Sequence, residues 1–264
     1  MKKRIFSAVV LIAVLIIAFL LMPAWVAAIV VGILSAVASW ELLHNTGLLT
    51  HKRINAYSGM MAFAVSIWSL FGCPTAFIGC AILIFFGLLF GEMMLSKLKL
   101  EAKAVLICGF SGLVIPYMFT ALVRIVTMEQ GRVYIFIPFL LAFLSDTGGY
   151  FAGVTLGRHK LCPLISPKKT VEGLLGGVFA SILGMILFAI LTDYNVVFSA
   201  LLGLVGAFGA VFGDLSMSIV KRQVGIKDYG RLIPGHGGVL DRFDSILFTA
   251  PIFELYLIAV QIIK

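Results

Sequence analysis

Asp241 and Asp244 lie three residues apart where the last long apolar run of the chain begins, a spacing that puts both carboxylates on one helical face. Two carboxylates this close repel each other unless a proton or a cation sits between them. Asp214, roughly two helical turns inside the end of an earlier apolar run, supplies a third acid at about the same depth. An ionised carboxylate within a bilayer costs on the order of 2.5–3.5 kcal/mol on insertion scales, so such residues face a cavity, a partner or an ion. Oxygen ligands with no neighbouring histidine or cysteine select a hard cation, and Mg²⁺ commonly combines one or two carboxylates with substrate phosphates and water. Alternatively, Asp241 caps the last helix and Asp244 pairs with Arg242. The third acid at the same depth favours a metal held by Asp214, Asp241 and Asp244.

Cations surround these acids. Ser218, Lys221 and Arg222 follow Asp214 at i+4, i+7 and i+8, so one helical stripe carries a carboxylate, a hydroxyl and two positive charges. The segment KRQVGIKDYGRLIPGHGGVLDR, residues 221–242, adds Lys227, Asp228, Arg231 and Arg242. Within it Gly237 and Gly238 permit close backbone approach, and amides exposed there and at the following helix start would cradle a phosphate. Lys221, Arg222, Lys227, Arg231 and Arg242 are enough cations to hold a triphosphate, and His236 is read as a phosphate donor. A second basic segment, GRHKLCPLISPKKTVEG at residues 157–173, sets Lys168 and Lys169 before Thr170. Asp146 stands just upstream in SDTGGYFAG, and Gly148, Gly149, Gly153, Gly157, Gly173, Gly176 and Gly177 suit close helix packing.

The elements that must position this chemistry are written in oil. Of 264 residues, 61% are hydrophobic and 12% charged, with a mean hydropathy of +1.13. A soluble domain has far more polar surface. At about 20 apolar residues per crossing, the chain reads as an all-α integral membrane protein. About nine transmembrane helices fall near 5–22, 24–40, 57–73, 75–91, 104–123, 133–151, 172–192, 196–220 and 245–263. The first follows Met1-Lys2-Lys3-Arg4 and is too long for a signal peptide, so it is expected to be retained. Only Arg124, Arg132 and Lys264 of the 20 basic residues fall outside the loops that share a side with the N-terminus. The positive-inside rule then makes the N-terminus cytoplasmic and the C-terminus external. The net charge of +8 is thus matched to anionic lipid headgroups and not to nucleic acid.

Cys73, Cys80, Cys108 and Cys162 are scattered, with no CxxC, so neither a disulfide framework nor a zinc site follows. Trp25, Trp40 and Trp68 near span ends suit an interfacial belt, and Glu41, His44, Glu92 and Glu101 are expected to be wetted interface residues. With no linker or repeat, residues 1–264 read as one membrane domain: 1–130 mainly scaffold, 133–264 the catalytic half with its two cytoplasmic loops, 157–173 and 221–244.

SIVKRQVGIKDYGRLIPGHGGVLDRFD, residues 218–244, resembles the signature of the phosphatidate cytidylyltransferases, or CDP-diglyceride synthases. Ser218, Lys221-Arg222, Lys227-Asp228, Gly230, Pro234, His236-Gly237-Gly238 and Asp241-Arg242-Phe243-Asp244 fill every fixed position of that signature. Residues 145–173 are similar to the family's second marked segment, whereas the chain before them is only generic. The resemblance implies a multi-pass enzyme of the cell (inner) membrane, acting on its cytoplasmic side. It would join CTP to phosphatidic acid and release CDP-diacylglycerol and pyrophosphate. It implies Mg²⁺ held by Asp214, Asp241 and Asp244, with room for a second cation near Asp146 or Asp228, and a homodimer. Two rivals remain. A CTP-dependent lipid-alcohol kinase would transfer the γ-phosphate, and an ion-coupled transporter would show inverted repeats and polar residues in both halves.

Overall fold

Long aliphatic runs punctuated by proline and glycine fold into helices whose bounds follow those breaks. The computed structural model describes residues 2–72, 75–96, 100–233 and 237–263. Contacts divide the chain into two units, Met1–Ile135 with Val224–Arg242, and Phe136–Gln223 with Phe243–Lys264.

In the first unit, α1 (Lys2–Ile16) runs on through a π-helical turn, Ile17–Leu21. Met22, the residue before Pro23, is extended, as the proline ring requires, and α2 (Ala24–Trp40) starts immediately after it. A second π-helical turn, Glu41–Asn45, prolongs α2. Next come α3 (Lys52–Leu70), α4 (Thr75–Leu95) and α5 (Ala102–Gly109), the last prolonged by a third π-helical turn, Phe110–Val114. The short helices α6 (Ile115–Phe119), α7 (Ala121–Thr127) and α8 (Gly131–Tyr134) complete the series. α2 packs on α3 through small side chains. At Gly32 an added Cβ would lie 2.8 Å from the ring of Phe63, so a larger residue there would require that ring to shift. Buried hydroxyls pin these helices where no water competes: Ser66 Oγ donates to the Ala28 carbonyl at 2.7 Å, and the hydroxyls of Ser39 and Ser111 lie 3.1 Å apart.

The second unit is built from α9 (Ile137–Thr155), a hairpin of β1 (Lys160–Cys162) and β2 (Ser166–Thr170), α10 (Val171–Thr192), α11 (Val196–Gln223) and α13 (Ile246–Ile263). The four-residue helix α12 (Leu240–Phe243) carries the chain into it from residues 224–242. α9 packs against α10, α11 and α13. At Gly148 an added Cβ would lie 2.6 Å from Ala180 Cβ and 2.7 Å from the Gly176 carbonyl, so the expected close approach of glycine-bearing helices is met here. The antiparallel hairpin, pairing Lys160 with Thr170 and Cys162 with Ser166, is an addition to the all-α expectation. Its strands are too short for periodicity to announce them.

Among the described residues, six helical stretches are long and apolar enough to cross a membrane: Ala24–Asn45, Ile78–Leu95, Ala102–Thr127, Gly131–Thr155, Val171–Thr192 and Val196–Gln223. Val9–Leu21 and Ile246–Val260 are shorter apolar helices, and α3 has Lys52, Arg53 and Asn55 in its first turn. Large aliphatic and aromatic side chains such as Leu83, Ile84, Phe143, Phe151, Leu187 and Ile190 point outward, as hydrocarbon and not water would have them. The chain is a multi-pass α-helical membrane protein.

Candidate functional site

α11 is amphipathic only at its C-terminal end, where the stripe read from the sequence forms. Ser218 Oγ lies 3.4 Å from Asp214 Oδ1, one turn apart on the same face. Lys169, reaching from β2, places its Nζ 2.5 Å from Asp214 Oδ2. Asp244, in the turn before α13, lies within the electrostatic reach of Asp214 and of Lys221. It is anchored by the Ser245 amide, which donates to Asp244 Oδ1 at 2.8 Å. α11 and α13 approach this closely because residue 213 is glycine: a side chain there would run into the Asp244 carbonyl. Asp244 and Lys221 are both buried, at 9% and 8% exposure. Burial, and then the charge of Asp214, push the Asp244 carboxyl above the usual range. Two acids within each other's field favour a proton on one of them, and a divalent cation can take that proton's place.

The hairpin supplies the rest. Thr170 closes β2 and caps α10, its Oγ1 accepting the Gly173 amide at 3.0 Å. This cap fixes the strand that carries Lys168 and Lys169. Lys169 is half-buried against Asp214, and Lys168 is exposed. Both line a cavity of about 440 Å³ whose walls include Asp146, Tyr150, Lys160 and Thr170. Asp146 stands within electrostatic reach of Lys169 and Asp214. Arg222, on the last turn of α11, donates from Nε to the Ile165 carbonyl of the hairpin at 3.1 Å. The second unit thus brings together Asp146, Lys169, Asp214, Ser218, Lys221 and Asp244, six residues marked from sequence.

The first unit holds the remaining ones on residues 224–242. Lys227, Asp228 and Arg242 are exposed, and His236 lies outside the described residues. Asp241 is buried, and its Oδ2 accepts the amides of Tyr229 at 2.7 Å and Gly238 at 3.0 Å. Gly237 has φ +96°, a left-handed conformation that asks for glycine. Two expectations are corrected here. Glu41 is not a wetted interface residue: it is 2% exposed and accepts the Val239 amide on Oε1 and the Leu240 amide on Oε2, each at 3.0 Å. The amides of Gly238, Val239 and Leu240 are therefore not exposed as a phosphate cradle, because two buried carboxylates take them. Glu101 is exposed as expected, pairing with Lys103 at 2.7 Å, while Glu92 is half-buried and accepts the Tyr57 hydroxyl at 3.1 Å. Asn45 also escaped the sequence reading; its Nδ2 donates to the Tyr229 carbonyl at 2.9 Å. The only sequence signal for Glu41 is a lone acid closing an otherwise uncharged run of seventeen residues.

Among the described residues no three His, Cys, Asp or Glu side chains group as a ready-made metal site. Asp214 and Asp244 nonetheless form a hard, oxygen-only pair suited to Mg²⁺.

The model of the cytidylyltransferase family matches residues 2–260. The chain is similar to the phosphatidate cytidylyltransferase of Staphylococcus aureus (strain COL), at 45% identity over 135 residues, covering 50% of this chain and 52% of that protein. It is likewise similar to the proteins of that name from Staphylococcus saprophyticus, at 44% over 137 residues (51% and 52%), and Staphylococcus epidermidis strain ATCC 12228, at 44% over 134 residues (50% and 52%). In each case the aligned part spans about half the length of the relative.

Proposed function

The chain belongs to the cytidylyltransferase family, and from that premise we propose that it transfers the cytidylyl group of CTP to phosphatidic acid, giving CDP-diacylglycerol and pyrophosphate. The observation that carries this reading is the cluster in the second unit. Lys169 and Lys221 face the paired acids Asp214 and Asp244 beside a cavity lined by more lysines. Two polyanions must meet for this reaction, and such a cluster offers both fixed cations and a place for a mobile one.

A phosphate oxygen of the lipid forms a bond to the α-phosphorus of CTP, and the bond from that phosphorus to the β-phosphate oxygen breaks. With a dianionic lipid phosphate and fully ionised CTP, six negative charges enter and six leave, so no proton need be transferred. Phosphoryl-type transfer of this kind asks the protein for positioning and charge neutralisation. Lys169 and Lys221 supply fixed positive charge, and Arg222, held by the hairpin, and Lys168, which lines the cavity, add more. Asp214 and Asp244 would hold Mg²⁺, and Asp241 belongs to the same signature. Bound there, the ion would neutralise charge on the transferring phosphate and the departing pyrophosphate. The excess of basic residues on one side of the spans supports a cytoplasmic site, with the lipid entering from the inner leaflet. A homodimer is part of the same family reading.

The test incubates purified protein with phosphatidic acid, Mg²⁺ and CTP labelled at either the α- or the γ-phosphate. Lipid-borne α label is the expected result, and chelation should abolish it until Mg²⁺ is restored. Label from the γ position would instead mark a kinase, and no label in the lipid would end both readings.

A further inference from the structure

Glu41 stands far from the signature in sequence, yet three features of the first unit converge on its carboxylate. Each oxygen accepts one of two successive amides, Val239 on Oε1 and Leu240 on Oε2. Two glycines of the signature leave room for it: a Cβ at Gly230 would lie 2.9 Å from the carboxyl carbon of Glu41, and one at Gly238 2.6 Å. The next residue after those amides is Asp241, whose Oδ2 in turn holds Tyr229 and Gly238 by their amides. Asn45, four residues after Glu41 in the same π-helical turn, takes the Tyr229 carbonyl. Backbone groups of Tyr229, Gly238, Val239 and Leu240 are therefore all fixed by acid or amide side chains, two of them from the end of α2.

We propose that Glu41 is a positioning residue, which clamps the backbone of residues 238–240 and thereby sets the place of Asp241. A buried carboxylate that accepts two amides is a strong, charge-assisted tie, and leaving either donor unmatched carries the full desolvation penalty of that group. Glycine at 230 and 238 is then explained by the clamp and not by phosphate approach. The π-helical form of residues 41–45 suits this role, since such turns recur where a helix must re-aim side chains at a functional site. The effect on turnover rests on the cytidylyltransferase reading; the clamp itself does not.

The experiment compares the native full chain with Glu41→Gln, both purified in lipid nanodiscs. Glutamine keeps the size and one acceptor but turns an amino group towards an amide that needs an acceptor. Hydrogen exchange without substrates should rise at least about tenfold at Val239 and Leu240, with α9–α11 unchanged. In the labelled-CTP assay kcat/KM should fall about 10- to 100-fold, the scale of a small misplacement of reacting groups, and more Mg²⁺ should be needed for half-maximal rate. A merely structural residue would reduce the amount of folded enzyme and leave the Mg²⁺ requirement of the remainder unaltered. Unchanged exchange at the two amides overturns the clamp, and an unchanged Mg²⁺ requirement overturns the positioning role. If the native protein transfers no cytidylyl group, the functional reading fails by itself, and exchange still decides the clamp. Should Glu41→Gln not fold, Glu41→Asp, which keeps the charge but is too short to span both amides, gives the same readouts.

Discussion

Replacing Asp244 by asparagine removes a charge and keeps a shape, so it isolates what the charge does. In the proposed reaction Asp244→Asn and Asp214→Asn should each lower lipid labelling by on the order of 100-fold or more, the scale of losing one preorganised electrostatic contact. The two differ in one respect. Asp214→Asn also strips Lys169 of its counter-ion, so the apparent affinity for CTP should change with it, whereas Asp244→Asn should act mainly on the Mg²⁺ requirement. Near-native rates in both variants would remove the metal assignment. His236 invites the opposite expectation. Because charge balances without a proton transfer, His236→Gln, which keeps a donor, should retain turnover within about tenfold; a loss of 10²–10⁴ would reveal acid–base catalysis instead.

Elements hold these residues through two local devices, a threonine cap and glycine contacts between helices. Thr170→Ala removes the side chain that takes the Gly173 amide at the junction of β2 and α10. Loss of such a cap costs about 1 kcal/mol, and here it should also loosen the strand bearing Lys169, so both the melting temperature and kcat/KM should drop. Gly176→Leu tests the packing: its side chain would meet Ala152 Cβ and the Gly148 carbonyl, and the variant should fail to yield folded protein by size exclusion in detergent. These contacts also explain what could be read from the chain beforehand. Helices were legible because hydrocarbon demands long apolar runs, and the Asp214–Ser218–Lys221 stripe was legible because helical spacing is regular. The Lys169–Asp214 pair could not be placed, since it joins a hairpin too short for periodicity to a helix far along the chain. Glu41 is illegible in this way because an acid at the end of an apolar run looks like an interface residue until its buried partners are known.

At the scale of the whole molecule, the functional reading needs the hairpin loop and the signature loop on one side of the membrane, the side from which CTP comes. Charge asymmetry among the loops predicts that side to be the cytoplasm. Leu164, 93% exposed at the hairpin tip, is a suitable reporter, since a cysteine there disturbs no packing. In a chain whose Cys73, Cys80, Cys108 and Cys162 are replaced by alanine, Leu164→Cys should resist a membrane-impermeant thiol reagent applied to intact cells. It should react fully in inverted vesicles, and the same should hold for a cysteine at exposed Lys227 in the signature loop. Labelling of either position from outside would separate the two loops or reverse both. Separation would break the site regardless of how well Asp214, Lys169 and Asp244 are arranged, because the lipid phosphate and CTP could not be held by groups on opposite faces of a bilayer about 30 Å thick. Reversal of both would leave the chemistry intact and direct it at a compartment without the nucleotide, so topology decides whether this arrangement of charges can act at all.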